Sequence, residues 1–202
     1  MRHAPELPPE LRPSFLLAAY AQGYFPMDDG PDCSGPVAWY AADPRAVLPL
    51  DGLRLSRGVR RSLRRHAYVE RTDAAFEAVM RRCARPRFPG DGVWISERFV
   101  HAYCALHRLG AARSFEVYAG DDLVAGVYGV ALERAFFAES TFHDAPDAGT
   151  VALVGMARRL RDEGYRLCDI QQLSPQLARL GAVEVPLDEY RALLERAVRP
   201  GR

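Results

Sequence analysis

A chain of 202 residues is long enough to bury a substantial core in one large or two small domains. A hydrophobic fraction of 49% and a charged fraction of 26% are those of an ordinary soluble globular protein, and a net charge of +1 excludes a globally basic nucleic-acid binder, so any basic surface must be local. All 27 basic residues are arginine, which excludes a catalytic lysine, a Schiff base or a P-loop.

Residues 1 to 13 hold four prolines and little periodicity, which predicts a loose tail. Ser14 opens a short helix through Tyr20, stopped by Gly23, and Tyr24-Phe25-Pro26-Met27 follows as an extended apolar turn. Asp28 to Pro36 is a Gly/Asp/Pro loop, Val37 to Tyr40 a short strand and Ala46 to Leu50 another. This stretch is too small for much core of its own. It is expected to pack on the rest as a small N-terminal α/β subdomain, 1–50, ahead of a main domain, 51–202.

Arg57, Arg60, Arg61, Arg64 and Arg65 recur at the spacing of one helical face, with Leu55, Val59 and Leu63 on the opposite stripe. Like charges at i, i+4 repel. A polyanion would relieve that repulsion, so this helix is a candidate phosphate-binding surface. Thr72-Asp73 opens a second helix with Phe76, Val79, Met80 and Cys83 inward, and a loop from Arg85 to Gly92 ends it. Ser96 is placed to cap a third helix, closed by Gly110. Ser114 to Tyr118 alternates as a strand, and Gly120-Asp121-Asp122 turns it into Leu123 to Val130.

A third strand carries Glu139 within Phe136 to Phe142. A helix over about 15 residues follows, judged by Val151, Val154 and Leu160. Arg166 to Ile170 is the next strand, and the two-residue period puts Asp169 and Gln171 on one face of it. Ser174-Pro175 starts a short helix, Ala182 to Val185 is a strand, and Leu187 to Ala197 a final helix. A three-stranded antiparallel meander, then a helix and a strand, is an acyltransferase-like order in an α/β (α+β) fold. An acid on one strand and Asp-x-Gln on the next make Glu139, Asp169 and Gln171 the candidate site. Cys33, Cys83, Cys104 and Cys168 have no C-x-x-C spacing, so free thiols in a reducing cytoplasm are expected, with no metal site. No basic segment with an apolar core behind it marks a leader, and no apolar run approaches the ~20 residues that span a bilayer.

Several phrases, in order, resemble the leucyl/phenylalanyl-tRNA–protein transferase family. They are Ala19-Tyr20-Ala21-Gln22-Gly23-Tyr24-Phe25-Pro26, Asp43-Pro44-Arg45-Ala46-Val47-Leu48, Trp94-Ile95, Ala102-Tyr103 with Leu106-His107, Ser114-Phe115-Glu116-Val117, Leu123 to Ala131, Phe136-x-x-Glu139-Ser140-x-Phe142, Asp169-x-Gln171 and Leu180-Gly181-Ala182. The resemblance implies a GNAT-like acyltransferase domain that moves Leu or Phe, and in some members Met, from aminoacyl-tRNA to the N-terminal Arg or Lys of a protein. That transfer marks the acceptor for N-end rule degradation, in the cytoplasm and without a cofactor. It further implies that Asp169 and Gln171 are catalytic and that Glu139 binds the acceptor. Tyr20, Trp94, Phe136 and Phe142 would surround the donor pocket, to which Met156 is added here, and Arg57 to Arg65 would hold the tRNA acceptor stem. The chain departs from the family's usual residues at Met27 and Thr141, which bear on the preferred aminoacyl group, and at Ala148 to Thr150. A related acyltransferase using acetyl-CoA is disfavoured because His143 to Thr150 holds one glycine where a pyrophosphate turn needs several. A non-catalytic aminoacyl-tRNA-binding relic is disfavoured by the joint presence of Glu139, Asp169 and Gln171.

Overall fold

The computed structural model describes residues 2–3, 11–28, 36–65, 67–86 and 94–199. Cys33, most of the loop after Asp28 and most of the loop after Arg85 lie outside them. Arg2–His3 (β1) pairs with Tyr40 and Ala41, where a loose tail was expected. Pro13–Tyr20 (α1) starts on proline, whose missing N–H costs nothing at a helix start. Phe25–Asp28 (β2) and Val37–Ala41 (β3) complete a three-stranded sheet in the order β1-β3-β2.

Arg45–Val47 (β4) does not join that sheet. It is a strand of the second, seven-stranded sheet, followed by Arg57–Arg65 (α2), Tyr68–Thr72 (β5), Phe76–Cys83 (α3), Glu97–Arg108 (α4), Ala112–Ala119 (β6), Asp122–Leu132 (β7), Ala135–His143 (β8), Ala148–Asp162 (α5), Leu167–Gln171 (β9), Pro175–Arg179 (α6), Val183–Val185 (β10) and Leu187–Val198 (α7). The order across the large sheet is β10-β4-β9-β8-β7-β6-β5. The chain is therefore already in the large sheet by residue 45, ahead of the boundary drawn near residue 50. The antiparallel meander β6-β7-β8 and the crossover α5 into β9, parallel to β8, follow the expected order in a mixed α/β fold.

Two differences from the sequence reading have local causes. Tyr68–Thr72 was not foreseen as a strand: it is the sheet's edge, its middle residues are exposed, and it shows no apolar alternation. Thr72-Asp73 does not start a helix. Asp73 has a positive φ of 58°, accepts the Ser114 N–H at 2.8 Å and pairs with Arg113, so α3 begins at Phe76.

The large sheet is buried on both faces. On one lie Leu16, Tyr20, Phe99, Tyr103, Tyr128, Phe137 and Tyr190; on the other, α5 covers Phe115, Phe136, Cys168 and Ile170 through Val154, Met156 and Leu160. Leu160 is fully buried, worth about 1.5–3 kcal/mol of transfer free energy.

Candidate functional site

The site forms where the parallel ladder ends. β8 and β9 pair as Ala135↔Leu167, Phe136↔Cys168 and Phe137↔Asp169. The next residues on that face, Glu139 and Gln171, meet through side chains instead: Gln171 Nε2 donates to Glu139 Oε1 at 3.0 Å. A β-bulge aims Glu139. β7 pairs Tyr128 with Ser140 but Gly129 with Ala138, which leaves Glu139 as the extra residue. Glycine at 129 permits it, because a Cβ there would stand 2.1 Å from the Phe137 carbonyl oxygen.

Asp169 sits one step deeper and is fully buried. Arg45 Nε donates to Oδ1 at 2.9 Å and to Oδ2 at 3.1 Å, and Arg45 Nη2 to Oδ2 at 2.6 Å. Tyr190 OH donates to Oδ2 at 2.5 Å, and the Gln171 backbone N–H to Oδ1 at 2.9 Å. Arg45 is equally enclosed. Its Nη1 donates to the Gly23 carbonyl at 3.0 Å, and its guanidinium lies over the Phe25 and Tyr190 rings at 5.0 and 4.7 Å. Burial alone would lower the Arg45 pKa; the Asp169 charge and its hydrogen bonds outweigh that and raise it. Gly23 closes the arrangement. Its φ is +83°, and a Cβ would meet the Tyr190 ring at 2.9 Å.

Asp169 and Gln171 do share a face, yet only Gln171 reaches solvent. With its oxygens committed to Arg45, Tyr190 and the Gln171 amide, Asp169 holds the end of the strand in place and meets the cleft only through Gln171. Gln171 has a positive φ of 52°, a conformation its N–H bond to Asp169 helps to hold.

Glu139 and Gln171 line a cleft of about 670 Å³. Trp94, Phe142, Leu153 and Ile170 supply apolar surface to it, and Arg82 and Arg85 a cationic rim. Arg82 lies over the Phe142 ring and pairs with Asp144 at 3.0 Å. Of the five donor-pocket candidates, Trp94 and Phe142 line this cleft. Tyr20 does not; it is fully buried, with its hydroxyl 2.5 Å from that of Tyr103. Phe136 and Met156 do not line the cleft: both are fully buried, Phe136 on the sheet under α5 against Phe115 and Tyr165, and Met156 on α5 itself. The β-strand period sends Phe136 to the α5 face and Phe137 to the other. The five arginines of α2 are exposed, while Val59 and Leu63 pack toward α5. Among the described residues none of the five makes a salt bridge, and no group of three or more His, Cys, Asp or Glu is placed to hold a metal ion.

Sequence reasoning gave no role to Arg45, Tyr103 or Tyr190. A signal existed for Arg45: an arginine opening the apolar run Ala46-Val47-Leu48 must find an anion if the strand is buried.

Burial pushes the Glu139 carboxyl up to about 8; the hydrogen bond from Tyr20 opposes this, Asp169 adds to it, and Arg45 and Gln171 oppose it. An acid whose folded pKa lies above its unfolded value gives stability that is complete below the unfolded pKa and lost as pH rises through the folded one. Glu139→Gln is therefore expected to match the native protein near pH 4.5 and exceed it above about pH 8, by roughly 5 °C in melting temperature. Thermal melts across that range check it; a gap that does not widen with pH counts against a raised Glu139 pKa.

The family model described as leucyl/phenylalanyl-tRNA protein transferase matches residues 47–195, and that of the family's N-terminal domain residues 9–43. A leucyl/phenylalanyl-tRNA–protein transferase of Anaeromyxobacter sp. (strain K) is 48% identical over 190 residues, covering 94% of this chain and 80% of its own. One of Rubrobacter xylanophilus is 47% identical over 193 residues, covering 95% and 97%. Among solved structures, L-PGS from Bacillus licheniformis overlaps 89% of this chain and 68% of its own, at 11% identity and a TM-score of 0.49. The chain belongs to the leucyl/phenylalanyl-tRNA–protein transferase family.

Proposed function

We propose that the protein transfers leucine or phenylalanine, and methionine as a lesser donor, from aminoacyl-tRNA to the N-terminal Arg or Lys of an acceptor protein. The transfer marks the acceptor for N-end rule degradation in the cytoplasm, and it needs no cofactor or metal. The observation that carries this reading is the Glu139–Gln171 pair, 3.0 Å apart on the wall of a cleft with apolar surface on one side and arginines on the rim. Aminoacyl-tRNA is an ester already activated for attack. The site has only to orient an amine, stabilise the carbonyl oxygen and move one proton. Gln171, with Nε2 turned to Glu139, keeps its amide oxygen for the incoming amine. The acid side brings the acceptor's cationic amino terminus to the same spot. Trp94 and Phe142 offer flat apolar surface for the aminoacyl-adenosine end. An apolar pocket separates near-neighbour side chains by only ~1–3 kcal/mol, so the preference among Leu, Phe and Met is graded.

Incubation of the purified protein with labelled Leu-, Phe- and Met-tRNA and an Arg-starting peptide tests the function. Label appearing on the peptide supports it, and label staying on all three tRNAs overturns it. The α2 face is proposed to hold the acceptor stem. Arg61→Ala/Arg64→Ala is expected to raise KM for aminoacyl-tRNA about tenfold and flatten its log–log salt slope by about 2, with melting temperature unchanged. An unaltered salt slope would remove α2 from the tRNA site.

A further inference from the structure

We propose that Asp28, on β2, is a positioning residue for the donor side of the cleft: it clamps the start of α4 and, through α4, fixes Trp94 on the cleft wall. The part of this that concerns catalysis rests on the transfer reading above. Asp28 is a carboxylate at the end of the small sheet and only 6% exposed. A carboxylate so placed needs partners. Ser96 Oγ donates to Oδ2, and Arg98 Nε donates to Oδ2 at 3.1 Å. Oδ1 lies against Arg98 Nη2 as an ion pair, without accepting an aligned hydrogen bond among the described residues. Asp28 falls in the stretch matched by the family's N-terminal-domain model, and Ser96 and Arg98 in the stretch matched by the transferase model. The clamp therefore ties those two parts of the chain together.

The clamp displaces an ordinary helix cap. Ser96 is the N-cap residue of α4 and has the extended backbone of that position, φ −86° and ψ 172°. A serine there normally accepts a hydrogen bond from the free N–H groups of the first turn, which is worth about 1 kcal/mol. Ser96 makes no such bond and donates to Asp28 instead. A carboxylate beside a helix N-terminus offsets that loss through the helix dipole. The hydroxyl is thus used to tie α4 to β2 rather than to close α4 on itself.

Trp94 stands two residues before Ser96, with the buried Ile95 between them. Its ring meets Phe99 edge-on at 6.0 Å, and Phe99 is fully buried in the first turn of α4, stacked on Tyr103 at 6.0 Å. Both the backbone and the ring of Trp94 therefore take their place from the start of α4. Trp94 lines the cleft that holds Gln171, whereas Asp28 does not line it, so any influence of Asp28 on the reaction passes through α4. A donor ester held against a displaced Trp94 would meet the amine in the wrong geometry, although no reacting group had been touched.

The test joins a reporter of Trp94 to the kinetics of transfer. The chain has two tryptophans, and Trp39 is 1% exposed, so acrylamide quenching of fluorescence reads Trp94. Asp28→Ala is expected to raise the quenching constant about twofold, and Asp28→Asn, which keeps an acceptor for Ser96, to raise it less. With Leu-tRNA and an Arg-starting peptide, Asp28→Ala should lower kcat/KM for the tRNA roughly 10- to 100-fold and leave KM for the peptide within about twofold. In a Trp94→Ala background the same change should cost little more, because Asp28 acts through that ring. Arg98→Met breaks the clamp from its solvent side; it takes the place of Asp28→Ala if that variant does not melt like a folded protein, and the same shifts are expected. Fully additive losses in Asp28→Ala/Trp94→Ala, or quenching equal to native in both clamp variants, would overturn the proposal and leave Asp28 a structural ion pair. A native protein that transfers from no aminoacyl-tRNA would overturn the function instead, and the quenching comparison would still decide the clamp.

Discussion

Replacing Arg45 by methionine is expected to lower the melting temperature by roughly 10 °C, the largest stability effect of any single change at this site. The substitution leaves the Asp169 carboxylate fully buried with Tyr190 and one backbone amide for company. Breaking a buried ion pair from one side costs about 3–5 kcal/mol, mainly because a desolvated charge is stranded. Asp169→Leu strands the Arg45 guanidinium and should cost a similar amount. The double variant Arg45→Met/Asp169→Leu strands neither charge, so it should melt closer to the native protein than either single variant does. Thermal denaturation of the four proteins at one pH decides it. Singles that melt within 2 °C of native would mean that water reaches the pair. The same experiment separates stability from function: the double variant, even if stable, lacks the carboxylate that accepts the Gln171 N–H, and should transfer poorly.

What the sequence disclosed and what it hid divide along range. Local patterns were sufficient for α2, whose arginines recur at helical spacing, and for the hairpin at Gly120, since neighbours in sequence settle both. The common face of Asp169 and Gln171 followed from strand periodicity, and α5 followed from its apolar spacing. The partners were not legible. Arg45 and Asp169 are 124 residues apart, and only the insertion of β4 between β9 and β10 brings them together. Tyr190 arrives from the last helix, and Tyr103 from α4. Glu139 could be picked as an acid in an apolar strand, but not the bulge that turns it to Gln171, because the bulge arises from the β7–β8 register and from Gly129. Phe136 and Met156 lie in the core rather than on the cleft wall, and their place was illegible for the opposite reason. Large apolar residues beside a site read alike whether they line it or lie under it, and only the packing of α5 on the sheet distinguishes the two.

Gln171→Ala is expected to reduce kcat about 10²-fold while leaving the melting temperature within about 2 °C of native. Gln171 is the last residue of β9, partly exposed, and its side chain bonds only Glu139 among the described residues, so little packing is lost. The chemistry loses more. Without the amide, the Glu139 carboxyl is no longer held at 3.0 Å, and the amine loses the oxygen that would orient it toward the ester. Gln171→Glu sharpens the test. It is nearly the same shape but sets a second carboxyl against Glu139, and two carboxyls at that distance share one proton, so one is driven to still higher pKa. Its kcat loss should therefore change with pH, whereas the loss in Gln171→Ala should be nearly pH-independent. Single-turnover transfer from Leu-tRNA, measured from pH 6 to about pH 9, distinguishes them. If both variants turn over like the native protein, Gln171 is not at the reacting centre. The anchoring of its backbone by Asp169, Arg45 and Tyr190 would then serve only the strand end.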